Sequence, residues 1–188
     1  MKINEIFYSL QGEGHFSGTP AVFIRFSGCN LNCPFCDTEH QTGSEMTADE
    51  IIERVSQWPA RHIVVTGGEP ALQLTYEFIE LLHKNSYFVQ AETNGTVKLP
   101  NNIDWITCSP KNGHIVYTEV DELKIVYNRN QDFIGNYSNI KAKDYRLQPC
   151  DTGNEKENLA ITAECIDYIK ANPKWALSLQ THKLLNIR

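Results

Sequence analysis

Three cysteines fall within eight residues in the segment Ser27-Gly28-Cys29-Asn30-Leu31-Asn32-Cys33-Pro34-Phe35-Cys36-Asp37, a C-x3-C-x2-C spacing. Thiolates this close along a chain can wrap one metal centre without long-range folding to gather them. Their number says more than their spacing. An iron–sulfur cubane is normally held by four cysteines, one per iron. Three thiolates leave one iron open, and an open metal position is where chemistry takes place. The rival is zinc: His40 follows Cys36 by four residues, and three thiolates with one imidazole make a closed structural site. On these residues alone the two metals stand level.

The cysteine loop directly follows an apolar run, residues 21–26, and similar β-rich runs occupy 62–66, 88–92, 105–108, 123–127, 145–148 and 175–180, with an N-terminal strand or arm over 2–8. Their mostly continuous apolar cores suit strands buried on both faces. Three helices punctuate them. The first opens on the capping box Thr47-Ala48-Asp49-Glu50 and carries Ile51, Ile52, Val55 and Trp58 on one stripe. The second spans about 72–84, burying Leu74, Phe78, Leu81 and Leu82, and the third spans about 156–171, stopping before Pro173. Alternating strands and helices predict a parallel sheet with crossover helices. The helices are too few for an eight-fold barrel, so the expected α/β fold is a partial β/α barrel of about six parallel strands and about three helices, in one domain over 1–188. In such barrels the site lies at the C-terminal strand ends. Each unusual polar cluster sits there: the cysteine loop, Thr66-Gly67-Gly68-Glu69-Pro70, Glu92-Thr93-Asn94-Gly95, Ser109-Pro110-Lys111 and Gln148-Pro149. Gly67 and Gly68 would let a ligand approach bare backbone, with Glu69 placed to take an ammonium group.

Composition narrows the setting. The 188 residues suit one compact core, and the formal charge of −6 argues against nucleic acid as the main partner. No apolar stretch approaches the roughly 20 residues of a membrane span, and the amino terminus lacks the apolar centre of a secretory signal. A cytoplasmic location with reduced thiols is expected. The scattered Cys108, Cys150 and Cys165 form no disulfide framework, and Cys108 reads as a small buried hydrophobe.

The cysteine triplet followed by Gly67-Gly68-Glu69-Pro70 resembles the radical S-adenosylmethionine (SAM) superfamily. Within it, the chain is similar to the 7-carboxy-7-deazaguanine synthase family of queuosine and 7-deazapurine biosynthesis. The narrower likeness rests on Tyr8-Ser9-Leu10-Gln11-Gly12-Glu13-Gly14, Arg25, Cys36-Asp37-Thr38, Glu92-Thr93-Asn94-Gly95, Ser109-Pro110-Lys111, Leu147-Gln148-Pro149 and Gln180-Thr181-His182-Lys183, so it spans nearly the whole chain. The resemblance implies a 4Fe–4S cluster on Cys29, Cys33 and Cys36, with SAM chelating the open iron and yielding a 5′-deoxyadenosyl radical. It implies SAM contacts from Gly68, Glu69, Asn94, Ser109, Pro110 and Lys111, with Phe35, Cys36, Asp37 and Gln148 near its adenine. The implied substrate is 6-carboxy-5,6,7,8-tetrahydropterin, met by Leu10, Gln11, Gly12, Arg25 and Thr66, with His182 as a neighbour and Thr38 on Mg2+. Glu13 either contacts substrate or orders its own loop. Arg188 is expected to close over the substrate, as the family's terminal residue does. A homodimer and an electron donor such as flavodoxin or ferredoxin are implied as partners. Two other readings compete: a glycyl-radical-enzyme activase, which shares the cluster loop, and a zinc-binding interaction module.

Overall fold

The computed structural model describes residues 1–33, 36, 38–111, 114–137 and 139–188. The described strands form one nine-stranded sheet: β1 (Lys2–Leu10), β2 (Pro20–Phe26), β3 (Ser44–Glu45), β4 (His62–Gly67), β5 (Phe88–Thr93), β6 (Trp105–Cys108), β7 (Glu119–Tyr127), β8 (Lys141–Pro149) and β9 (Ala176–Leu177). The order across the sheet is β3-β1-β2-β4-β5-β6-β7-β8-β9. From β2 to β9 every pairing is parallel, whereas β1 runs antiparallel to both β2 and β3. A mostly parallel open sheet with few helices matches the expected partial barrel.

The helices are α1 (Ala48–Val55), α2 (Tyr76–Lys84), α3 (Gln131–Gly135), α4 (Glu155–Ala171) and α5 (Thr181–Leu185). The Thr47 capping box starts α1 as expected, Thr47 and Glu50 bonding each other's backbone N–H groups at 3.3 and 2.7 Å. The helix stops at Val55, so Trp58 lies in the following turn. The second helix divides. Pro70–Leu72 makes a 3-10 turn, and α2 begins afresh on the Thr75 cap. Between them Gln73 is diverted from helix geometry because its amide donates to the Ser27 carbonyl (2.7 Å) and accepts from the Lys2 N–H (2.8 Å). Of the side chains expected inside, Leu74, Phe78 and Leu82 are buried, joined by Ile79, while Leu81 is half-exposed.

Two apolar cores cover the outer face. Val22, Ile24, Phe26, Ile63, Val65, Val89 and Ala91 pack under α1 and α2, and Leu123, Ile125 and Leu147 pack under Ile161 and Cys165 of α4. The inner face departs from the expectation of strands apolar on both sides. Phe7, Ala21, Phe23 and Val64 form a small apolar cluster there, but β5–β8 turn Gln90, Thr107, Glu122, Lys124 and Gln148 inward, all buried. The loop between β1 and β2 links β1 to the far end of the sheet. The Gly12 carbonyl accepts from the Thr181 N–H (2.9 Å) and hydroxyl (2.8 Å), and the Gly14 N–H donates to Ser178 Oγ (3.0 Å). These bonds span from β1 to the segment after β9 and close the seam of the half-barrel.

Candidate active site

Behind each strand end stands a loop, and hydrogen bonds stitch three of these loops into one frame. The Gly28 carbonyl at the base of the cysteine loop accepts from the Glu69 N–H (2.9 Å). The Glu69 carboxylate, fully buried, accepts from the Asn94 N–H (2.7 Å), Thr93 Oγ1 (2.8 Å) and the Ala71 N–H (3.0 Å). Asn94 returns to the cysteine loop by donating Nδ2 to Asn30 Oδ1 (3.0 Å). The two glycines make this crossing feasible. A Cβ on Gly68 would lie 2.0 Å from the Gly28 carbonyl oxygen, and one on Gly67 would lie 2.2 Å from that of Phe26.

The frame opens onto a cavity of about 770 Å³. Cys29, Cys33 and Cys36 line it, all three as free thiols, the first two half-buried and Cys36 exposed. Burial raises the Cys33 thiol above its ordinary value, with the Cys36 and Cys29 sulfurs adding to the rise and Lys111 opposing it. The same cavity is lined by every residue expected at the substrate: Leu10, Gln11, Gly12, Glu13, Arg25, Thr66, His182 and Arg188. It is also lined by Thr38 and by Gly68, Asn94, Ser109, Lys111 and Gln148 of the expected SAM set. Lys111 Nζ donates to Ser109 Oγ at 2.9 Å. Arg25 Nε donates to Glu5 (2.8 Å) while its Nη1 reaches Thr38 Oγ1 (3.4 Å), so an acid pairing coexists with a cavity-facing guanidinium. Arg188 pairs with Glu5, stacks over the Phe7 ring at 5.1 Å, and accepts from Ser9 Oγ at its main-chain oxygen (2.6 Å).

Two expected SAM contacts stand elsewhere. Glu69 and Pro110 are buried behind the wall rather than lining it. Glu69 accepts three bonds, two on Oε1 and one on Oε2, that tie neighbouring loops together; burial pushes its carboxyl up. Phe35 and Asp37 lie outside the described residues. His40 lines the cavity with its Nδ1 buried and unpartnered. Cys108 is buried against Gly95, its thiol pushed up to about 12 by burial. Cys165 belongs to the outer core, and Cys150, next to Gln148-Pro149 at the end of β8, lines the cavity.

Sequence reasoning missed the centre of the site. Lys124 Nζ lies 2.7 Å from Glu13 Oε2 and 3.0 Å from Glu92 Oε2 at the cavity wall. Burial opposes its charge, but the Glu13 and Glu92 carboxylates outweigh that and hold the ammonium well above its usual range. Burial likewise raises the Glu13 carboxyl, yet Lys124 and the Gln180 amide (2.9 Å) outweigh it and hold Glu13 down to about 2. Glu92 is raised by burial, against Lys124. The signal was present: Glu122 and Lys124, two residues apart, share one face of a strand.

A half-barrel whose first parallel strand feeds a loop of three free thiols belongs to the radical SAM class, and the Radical SAM superfamily model matches residues 23–113. Relatives match far more of the chain. The 7-carboxy-7-deazaguanine synthase of Bacteroides thetaiotaomicron is 54% identical over 100% of this chain and 98% of its own, and that of Burkholderia multivorans is 38% identical over 98% of each. The crystal structure of QueE from Escherichia coli superposes with a TM-score of 0.77 at 29% identity, covering 95% of this chain and 92% of that one. The chain belongs to the 7-carboxy-7-deazaguanine synthase family. It is a radical SAM lyase that uses a 4Fe–4S cluster and SAM, which sets aside the activase and zinc-module readings. The donor set fits the cluster: three unoxidised thiols on one short loop border a cavity with room beside them. No helix among the described residues is long and apolar enough to cross a membrane.

Proposed function

We propose that this enzyme converts 6-carboxy-5,6,7,8-tetrahydropterin to 7-carboxy-7-deazaguanine with loss of ammonia, on the route to queuosine and other 7-deazapurines. One observation carries the reading. The three thiols and the eight residues expected at the substrate line a single cavity, so a bound radical source and a polar bicyclic substrate would share one enclosure. Cys29, Cys33 and Cys36 would hold the cluster, whose complex with SAM supplies a radical that abstracts the C6 hydrogen.

The chain's own residues bind, orient and exclude water. Gly68, Asn94, Ser109, Lys111 and Gln148 present polar groups from successive strand ends for SAM. Arg25 offers a forked cation for the substrate carboxylate, and Thr38, next to it, would ligate Mg2+, an ion that keeps waters and completes its shell with substrate. Gln11, Glu13, Thr66 and His182 supply acceptors and donors for the ring. Arg188, tied to Glu5 and Ser9, covers the side of the cavity nearest β1. The continuous sheet supports one domain over 1–188. Leu184, Leu185 and Ile187 stay exposed along the C-terminal segment, which suits a homodimer. Flavodoxin or ferredoxin would deliver the electron, in the cytoplasm.

Anaerobic reconstitution followed by reductant, SAM, Mg2+ and the carboxytetrahydropterin should yield 7-carboxy-7-deazaguanine and one ammonia per turnover. An intact cluster that cleaves SAM without forming this product would defeat the substrate assignment.

A further inference from the structure

Lys124 is buried to 4% exposure at the centre of the inner sheet face, on β7. It joins elements far apart in sequence: Glu13 of the loop after β1 at 2.7 Å and Glu92 at the end of β5 at 3.0 Å. Burying an ammonium is costly, and replacing a buried ion pair by packed apolar groups is often neutral or stabilising. A strand interior therefore gains nothing obvious in stability from Lys124, and its reason lies in what it holds.

What it holds is the substrate loop. That loop is fixed at the seam by Gly12–Thr181 and Gly14–Ser178 bonds, both of which act on its backbone or on the opposite edge. The Glu13 side chain is gripped from within by Lys124 and from the seam by Gln180 Nε2 (2.9 Å). Other charged groups around it are Glu92 on the cavity wall, Glu122 outside the cavity lining, Lys111, and His182 of α5. Three carboxylates, Glu13, Glu92 and Glu122, thus stand about one buried cation, and Glu122 Oε1 has no partner. Remove Lys124 and these acids face one another in a desolvated space, where one must take a proton or turn away.

We propose that Lys124 is a positioning residue for the reaction: it fixes the Glu13 carboxylate, as a charged acceptor, where the N–H groups of the pterin ring meet it. The inference rests on the pterin reading above and concerns how that substrate is gripped. It also decides the question the sequence left open about Glu13, since the carboxylate then serves the substrate and the loop together.

A double-mutant cycle tests it, on the full-length reconstituted enzyme, with KM for the carboxytetrahydropterin and kcat as readouts. Glu13→Gln should raise KM about 10- to 100-fold, the range for one charge-assisted hydrogen bond. Lys124→Met should raise KM similarly. Because Lys124 acts through Glu13, the double variant should be no worse than the worse single variant. Lys124→Arg should recover most of the loss, and thermal melts of each protein report folding. Multiplicative KM effects, or a Lys124→Met protein that melts early yet keeps wild-type KM, would overturn the proposal. Should Lys124→Met not fold, Lys124→Gln and its double variant with Glu13→Gln take its place: the double variant should again be no worse than the worse single variant, and multiplicative KM effects would count against Lys124 acting through Glu13. Wild-type enzyme that makes no product would defeat the substrate reading and this proposal with it, a result distinct from any pattern of KM among the variants.

Discussion

Replacing Gly68 by alanine should disable the cluster loop while leaving the fold standing, and Gly28→Ala is its control. At Gly68 the added Cβ would lie 2.0 Å from the Gly28 oxygen, 2.5 Å from the Gly28 carbonyl carbon and 2.9 Å from Cys29 Cβ. A carbon–oxygen contact relaxes to about 3.3 Å, so the two backbones must part by about 1.3 Å. Gly28 and Cys29 move first, because Gly68 is anchored by its N–H to the Phe26 carbonyl (3.1 Å) at the sheet edge. The Glu69–Gly28 hydrogen bond is lost with them. A misplacement near 1 Å costs on the order of 100-fold in rate, or about 2.7 kcal/mol of barrier. Gly28 has φ +88° and open space around its Cβ direction. Alanine there stores about 1–2 kcal/mol of left-handed strain and pushes nothing aside. The assay is iron retained per chain after anaerobic reconstitution, with the rate of 5′-deoxyadenosine release. Gly68→Ala should lose iron and at least about 100-fold in rate, whereas Gly28→Ala should lower Tm by about 2–8 °C with iron retained. If Gly68→Ala keeps its iron and its rate, or if Gly28→Ala damages both equally, the backbone-crossing account is wrong.

Two further predictions concern buried acids. Glu69→Ala strands the Asn94 and Ala71 amides, each worth about 1–3 kcal/mol when buried unpaired; urea unfolding should show a loss of about 3 kcal/mol, and a loss below about 1 kcal/mol would mean the three-loop frame does not depend on it. Glu13, held down to about 2 from an ordinary 4.5, contributes stability that is complete above 4.5 and disappears as pH falls toward 2. Apoprotein melts over that window should fall more steeply for wild type than for Glu13→Gln, and parallel slopes would refute the Lys124 pairing.

Much of this was legible because local chemistry dictated it. The Thr47–Glu50 box starts a helix by satisfying orphan donors within four residues, and it did so here. Polar motifs at strand ends converge wherever strands run parallel, so one cavity followed from topology. The misreadings were tertiary. Leu72 begins no continuous helix, because Gln73 is recruited by Lys2 and Ser27, far away in sequence. The burial of Glu69 was not legible, because its partners Thr93 and Asn94 come from the end of another strand. Lys124 escaped notice for the same reason. Glu122 and Lys124 look like the solvated start of a strand until Glu13 and Glu92 are brought to them from 111 and 32 residues away.

The polar inner face explains how so reduced a barrel carries this chemistry. The outer face holds the fold through its two apolar cores under α1, α2 and α4, and the seam is closed by a loop and α5 instead of further strands. That arrangement frees the inner face from structural packing over β5–β8. An interior of Gln90, Glu92, Thr107, Glu122 and Lys124 is an expensive way to fill a core, since each buried polar group needs a partner. Of these, Glu92 and Lys124 line the cavity, whereas Gln90, Thr107 and Glu122 stand outside its lining and back it through the Gln90–Glu92, Gln90–Thr107 and Thr107–Glu122 hydrogen bonds. The seam loop belongs to both structures at once, since Gly12 and Gly14 close the barrel while Gln11 and Glu13, between and beside them, line the site. Closure of the barrel and shape of the site are therefore one equilibrium, and a change that opens the seam reaches the substrate within a residue.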